Sequence, residues 1–238
     1  MVSNASRVLL LLPVLAGTLE AQNYRDVTDS WSRPRNFFGI NLQVAAPQGE
    51  FKQFVGTGFG VGLNVTFMLD REGRVGIRLF GSWIEYGRTT ERLPLSPTLP
   101  GLNVDLTTAN DIYTMGVGPE LQLGRGDIRP YLHGMIGTSN FATTTSAEGT
   151  NNTSPFASST NFNDWTFAWS GGGGVMFQVS HGRHPVLIDG GLRYQGHGQT
   201  RYLREGSIQP APGGGVTFTP IESRTDILVP YLGVQVGF

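Results

Sequence analysis

The sequence predicts an all-β fold: a closed, antiparallel, eight-stranded up-and-down transmembrane β-barrel, preceded by a cleavable signal peptide. Three observations carry this expectation. Apolar residues recur at every second position in eight separate runs. The connectors between those runs alternate between short and long. Lysine is almost missing from the chain, since Lys52 is the one lysine among 17 basic residues.

Composition narrows the function classes first. The 238 residues include 34 Gly and no Cys, and the net charge is -1. Zero Cys removes disulfide frameworks and thiolate metal sites. A near-neutral chain lacks the basic footprint of a nucleic-acid binder, so no nucleic-acid partner is expected. Soluble surfaces are usually covered with Lys and Glu, and this chain has one Lys to offer. Past the N-terminus no apolar run reaches the ~18–20 residues of a membrane helix. That excludes a helical membrane protein and leaves open a barrel, whose strands are only half apolar.

At the N-terminus, Arg7 precedes the apolar run Val8 to Ala16, and small residues follow. The run has the length of a signal-peptide core and is too short to span as a helix. Residues 1–21 are therefore expected to be a signal peptide, cut after Ala21 or after Thr18. Residues 22–36 are polar, contain Pro34 and lack periodicity, so a short periplasmic lead-in is expected there. The barrel is expected over 37–238.

The strands follow from a period of two, because successive side chains on a strand point to opposite faces. Phe38, Ile40, Leu42 and Val44 alternate with small or polar residues, as do Phe59, Val61, Leu63, Val65, Phe67 and Leu69. Val75, Ile77 and Leu79 flank Gly76 and Arg78. Tyr113, Met115, Val117, Leu121 and Leu123 flank Gly116, Gly118, Glu120 and Gln122. Leu132 and Ile136 oppose Tyr131, His133 and Met135. Trp165, Phe167 and Trp169 lead through GGGG at 171–174 to Val175, Phe177 and Val179. Ile188, Leu192 and Tyr194 oppose Asp189, Arg193 and Gln195, and Leu232, Val234, Val236 and Phe238 oppose Tyr231, Gln235 and Gly237. Pro119, Pro130 and Pro230 donate no ladder bond, which places them near strand ends or at bulges.

Alternation alone also fits a soluble barrel with its apolar face inward. Three features favour the reverse. The polar face is Gly, Ala, Thr, Ser, Asn and Gln, which suits the cramped interior of eight strands. Connectors 70–74, 124–127 and 180–185 are short, while 46–58, 87–110, 139–163 and 197–223 are long. That asymmetry is the mark of outer-membrane barrels and puts termini and short turns in the periplasm, with long loops extracellular. Aromatics also collect near strand ends: Trp83, Tyr86, Tyr113, Trp165 and Tyr194 toward the long loops, Phe37, Phe177 and Phe238 toward the short turns. They are expected to form two interfacial girdles. The Ser/Thr/Asn-rich segment 139–163 reads as a mobile loop, and Val216 to Thr219 as a short β-like piece within the last connector.

The ending VPYLGVQVGF, with Leu232, Val234, Val236 and Phe238, resembles the C-terminal assembly signal of bacterial outer-membrane barrels. RPYLHGMIG at 129–137 repeats its PYL start. Residues 37–238 resemble the small-barrel group of Gram-negative bacteria that includes the OmpA transmembrane domain, OmpW and the opacity-type proteins. The resemblance implies a cell outer membrane location. It also implies outer-membrane lipid as surroundings, and periplasmic chaperones and the barrel-assembly machinery as partners during biogenesis. Members serve as anchors, adhesins, narrow channels or, in a minority, lipid-modifying enzymes.

Parity points Arg78, Glu120, His133, Asp189 and Arg193 into the lumen. Arg78 and Glu120 lie on adjacent strands and are expected to pair; Asp189 and Arg193 are four apart on one face. Buried charges need partners, so a packing network is the expectation and a narrow polar path the alternative. LRYQGHGQT around His197 resembles the His-and-Ser strand of lipid A deacylases, but Gly198, Gln199 and Thr200 follow, and the Ser is missing. His197 is expected at the rim. His181 and His184 in a short turn lack a third metal ligand, and GGGG at 171–174 lacks the Lys of a phosphate loop. No catalytic, metal or cofactor site is expected. The expected function is a structural or surface-exposed, non-enzymatic barrel without a wide pore. A narrow OmpW-like channel for small or apolar solutes is the alternative, and the long loops offer a surface for a ligand.

Overall fold

The computed structural model describes residues 36–96, 99–149, 152–203, 207–210 and 216–238. The expected signal peptide and the lead-in through residue 35 lie outside them; Asn36 already belongs to the first strand. In chain order the strands are β1 (Asn36–Pro47), β2 (Gly58–Met68), β3 (Val75–Ser96), β4 (Leu99–Gln122), β5 (Ile128–Gly149) and β6 (Asn152–Ser180). They continue as β7 (Val186–His197), β8 (Gln199–Tyr202), β9 (Ile208–Pro210), β10 (Val216–Phe218), β11 (Ile221–Arg224) and β12 (Ile227–Gly237). A 3-10 turn, Phe51–Gln53, sits between β1 and β2.

Eight strands close into a barrel in the order β1-β12-β7-β6-β5-β4-β3-β2. Every ladder is antiparallel, and the first and last strands make the closing seam through Phe38↔Val236, Ile40↔Val234 and Leu42↔Leu232. Closure leaves no sheet edge in the belt, and in hydrocarbon each unpaired backbone group would cost several kcal/mol.

Alternation holds around the ring and sets the faces. The lipid-side set is exposed, with Leu42 70 % and Phe59 65 % exposed, while inward neighbours such as Gln43 at 2 % are buried. A continuous apolar belt of this kind exceeds the few hundred Å² that soluble monomers tolerate. Its upper boundary is set by register. Trp83, Tyr113, Asn140 and Trp165 stand on one rung across four strands, and two residues further up another rung carries Glu85, Asp111, Ala142 and Asn163. Trp83 Nε1 donates to Asp111 Oδ1 at 2.8 Å, tying ring to polar rim. From Tyr113 to Leu123 the chain runs about 33 Å at ~3.3 Å per residue. A tilt near 40° makes that about 25 Å across the bilayer, the height of an outer-membrane apolar band.

Two girdle assignments fail. Phe37 is 2 % and Tyr86 6 % exposed, so both rings point inward. Phe37 neighbours the outward Phe38, and Tyr86 lies an odd number of residues from the outward Trp83, so alternation itself turns them inside. The long connectors also differ from expectation. Segments 87–110 and 139–163 are largely ladder: β3–β4 and β5–β6 continue far above the belt as one four-stranded sheet. Hydroxyls link it, with Thr90–Thr107 at 3.0 Å and Thr108–Thr145 at 2.9 Å. The last connector is a β-arm in which β8 pairs with β11 and β9 with β10. The expected β-like piece is β10.

The prolines sit partly as expected. Pro130 is near the start of β5, but Pro119 and Pro230 are inside β4 and β12 without a bulge. Register is unchanged across them, from Val117↔Ile136 to Glu120↔His133 and from Gln43↔Tyr231 to Ala46↔Leu228. Each proline keeps pairing on its other side, through Ile77↔Pro119 and Pro230↔Leu192.

The belt generates a depth-dependent prediction. Leu79→Arg, midway between Trp83 and the short turn, is expected to destabilise the barrel by about 2–4 kcal/mol in lipid vesicles. Thr90→Arg, above the belt, is expected to cost no more than about 1 kcal/mol, the value of the lost hydroxyl contact with Thr107. Urea titration of folding into vesicles measures both.

Candidate functional site

The lumen is the interior this barrel offers, and its side chains stack in three layers. At the short-turn end, Phe37, Met68, Tyr131, Met176 and Leu187 form an apolar floor. At the opposite end, Ala45, Phe51, Ile84, Tyr86, Ile112, Phe141, Tyr202, Ile227 and Val229 form an apolar plug. The 3-10 turn delivers Phe51 to the middle of that plug. Its ring meets Tyr202 edge-on at 5.1 Å, Tyr86 at 5.7 Å and Phe141 at 6.3 Å between centroids. Such pairs add about 0.5–1.5 kcal/mol each beyond area burial.

The polar layer lies between. Arg78 Nη1 pairs with Glu120 Oε2 at 2.9 Å, both fully inside, as the sequence leads one to expect. Glu120 also accepts from Thr66 Oγ1 at 3.1 Å and from Gln122 Nε2 at 3.2 Å. Asp189 and Arg193 do not join each other. The Asp189 carboxylate accepts from the Tyr131 hydroxyl and from Gln235 Nε2, each at 2.7 Å. Arg193 Nη2 donates to Gln43 Oε1 at 3.2 Å, and its guanidinium lies 4.1 Å from the Phe80 ring centroid. Residues four apart on a strand are about 13 Å apart along it, so a shared face does not make a pair. His133 stacks on Tyr131 at 5.9 Å, and its Nε2 lies 3.4 Å from the Tyr231 hydroxyl. The Tyr131 and Tyr231 hydroxyls meet at 2.7 Å and join the Asp189 and His133 branches.

Sequence reasoning places the five charged or titratable residues inside but misses the tyrosines, Gln43, Gln235 and Thr66 as their partners. The signal is there, since all five of these partners share the inward parity. It also misses what makes room for them. A Cβ on Gly191 would overlap the Tyr231 hydroxyl, and one on Gly174 would come within 2.9 Å of the Tyr131 hydroxyl. These two glycines are seats for the large rings.

His197 ends β7 at the long-hairpin end, as the sequence leads one to expect, but it is not an exposed rim residue: it is 1 % exposed, with its ring edge-on to Phe141 of the plug at 5.2 Å. Gln195 Nε2 lies 2.9 Å from its Nε2, and its Nδ1 meets the Thr225 carbonyl oxygen. An amide NH2 only donates and a carbonyl only accepts, which puts the ring proton on Nδ1. His181 and His184 part company: the first pairs with Asp127 at 3.1 Å, the second with the Gly237 carbonyl at 3.2 Å. Among the described residues no three His, Asp or Glu gather as a metal set.

This packing makes the stability of the barrel sensitive to single side chains. Glu120→Ala leaves Arg78 buried and unpaired, with an expected loss of about 3–5 kcal/mol. Gly191→Ala is expected to cost about 1–3 kcal/mol by displacing Tyr231, whereas Gly171→Ala meets no atom within 4 Å and is expected to be near neutral. Unfolding midpoints of the three variants in one detergent decide the ranking.

Scans against models of known protein families and against curated sequences give no match. Solved structures do match in fold. A major outer membrane protein from Thermus thermophilus superposes with a TM-score of 0.50 at 14 % identity, covering 85 % of this chain and 99 % of that one. Neisserial surface protein A gives 0.44 at 14 % identity, with 85 % and 97 % covered. OprG from Pseudomonas aeruginosa gives 0.40 at 13 % identity, with 87 % and 97 % covered. With its closed eight-stranded ring, short turns at one end and long hairpins at the other, this chain has the fold of the small outer-membrane β-barrels.

Proposed function

We propose that this protein is a structural and surface-displaying barrel of the bacterial outer membrane, non-enzymatic and without an open pore. The observation that carries this reading is the lumen closed twice, by the floor around Phe37 and Met176 and by the plug around Phe51, with a hydrogen-bonded polar layer between. An eight-stranded barrel is just wide enough for side chains to fill, and here they do. The lipid-modifying alternative gains no support from His197, whose ring is held by an amide and a carbonyl. What the barrel offers outward is the tall, threonine-rich sheet of β3–β6 and the β8–β11 arm. In this reading they stand outside the cell as the surface for any ligand, with the short turns in the periplasm and the Leu232–Phe238 pattern serving assembly.

One feature favours a second reading, a narrow gated path. Phe51, at the centre of the plug, comes from a connector and not from the barrel wall, and the connector is flanked by Gly49 in a left-handed conformation (φ 57°) and by Gly56. The same experiment separates the readings. In planar bilayers the wild-type protein is expected to be silent, and Phe51→Ala with Tyr202→Ala silent or nearly so, because the polar layer and floor remain. Steady wild-type conductance that changes with Glu120→Ala would establish the path instead.

Orientation has its own test, made simple by the absence of cysteine. Thr90→Cys is expected to react with a membrane-impermeant maleimide on intact cells. Glu72→Cys, in the turn between β2 and β3, is expected to react only once the outer membrane is breached. The opposite pattern would invert the barrel.

A further inference from the structure

We propose that the polar layer of the lumen binds one small inorganic anion of halide size, held by Arg193 and Ser170. The site is a void lined by Arg78, Phe80, His133, Met135, Ser170 and Arg193, with a volume of about 10 Å³. Such a space suits one particle of about the size of a water molecule. A chloride or bromide ion is larger, and the flexible Met135 side chain on the wall has to give way to admit it; phosphate and sulfate are larger still and are excluded.

Two polar atoms on its walls lack partners. Arg193 Nε and Ser170 Oγ are buried with no hydrogen bond, on residues 3 % and 5 % exposed. Native interiors seldom leave such groups unsatisfied, because each then carries its full desolvation penalty. Both atoms can donate. They sit on adjacent strands, β6 and β7, facing the same void.

Charge then selects the occupant. Two guanidinium groups line the void and no carboxylate does. The carboxylates of the layer are committed elsewhere, Glu120 to Arg78 and Asp189 to Tyr131 and Gln235. Arg193 has only an amide oxygen and an aromatic face, so its buried positive charge lacks a partner of opposite sign. Buried charges without one are strongly unfavourable. A water molecule would accept from both donors but must place two hydrogens of its own, and the lining side chains offer few acceptors. A monatomic anion only accepts, and it sets a negative charge directly against the Arg193 guanidinium, which no carboxylate contacts.

The test uses the full chain refolded in detergent, once in sodium bromide and once in sodium gluconate at equal ionic strength. Crystals from bromide are expected to show an anomalous peak within hydrogen-bond reach of Arg193 Nε and Ser170 Oγ. The apparent Tm is expected to be about 3 °C or more higher in bromide. Ser170→Ala, a small change on β6, is expected to at least halve that shift, and Arg193→Met to abolish it; if Arg193→Met does not fold, Ser170→Ala decides. Water-like density without anomalous signal overturns the proposal. So does a bromide peak with equal Tm in both salts, which marks an adventitious ion only.

Discussion

The seam between β1 and β12 is the constraint on which the rest of the molecule depends. Hydrocarbon offers no hydrogen bonds, so a sheet that enters it must pair its first strand with its last. The seam fixes the strand number at eight. Closure also removes any choice of face: with one face against lipid, every apolar residue of the two-residue period must look outward and its neighbour inward. A slip of one residue in any ladder would reverse both.

The interior follows from strand number. Eight strands enclose a space that side chains nearly fill, so the lumen is packed with mixed chemistry and is not a channel left empty. Large inward side chains are matched by inward glycines on facing strands, as Tyr231 is by Gly191. Apolar rings gather at the two ends, and the charged layer is kept between them. The arrangement joins long-range partners through side chains, since Tyr131 on β5 reaches both Asp189 on β7 and Tyr231 on β12. Those bonds join strands that are two and three places apart in the ring, in addition to the backbone ladders.

Much of this is legible in the sequence where one face is apolar and the other is not. All eight wall strands, their turns and the inward parity of Arg78, Glu120, His133, Asp189 and Arg193 rest on that contrast. Legibility ends where the contrast ends. Above the belt neither face of a strand meets lipid and both carry polar residues, so Thr107, Thr108, Thr144 and Thr145 show no apolar alternation and read as a loop, although β-branched residues favour strands. Phe37 and Tyr86 show that parity outweighs residue type: an aromatic near a strand end joins a girdle only if it stands on the outward face. The Phe51 plug leaves no periodic signal at all, since a ring delivered by a connector is placed by tertiary contacts alone. The Asp189 and Arg193 partners show the same limit: parity gives the face, and only three-dimensional reach gives the bond.

The most direct measurement is amide hydrogen exchange across the closing seam, with the protein in detergent or lipid. Ile40 and Leu42 of β1 and Leu232 and Val234 of β12 pair across the seam with their amides pointing into it, in step with the Phe238 N–H to Asn36 carbonyl bond at its end. Closure requires their amides to exchange as slowly as those of Tyr131 and Gly172, within the β5–β6 pair. Fast exchange confined to β1 and β12, with the β5–β6 amides protected, would show an open sheet and contradict the closed barrel.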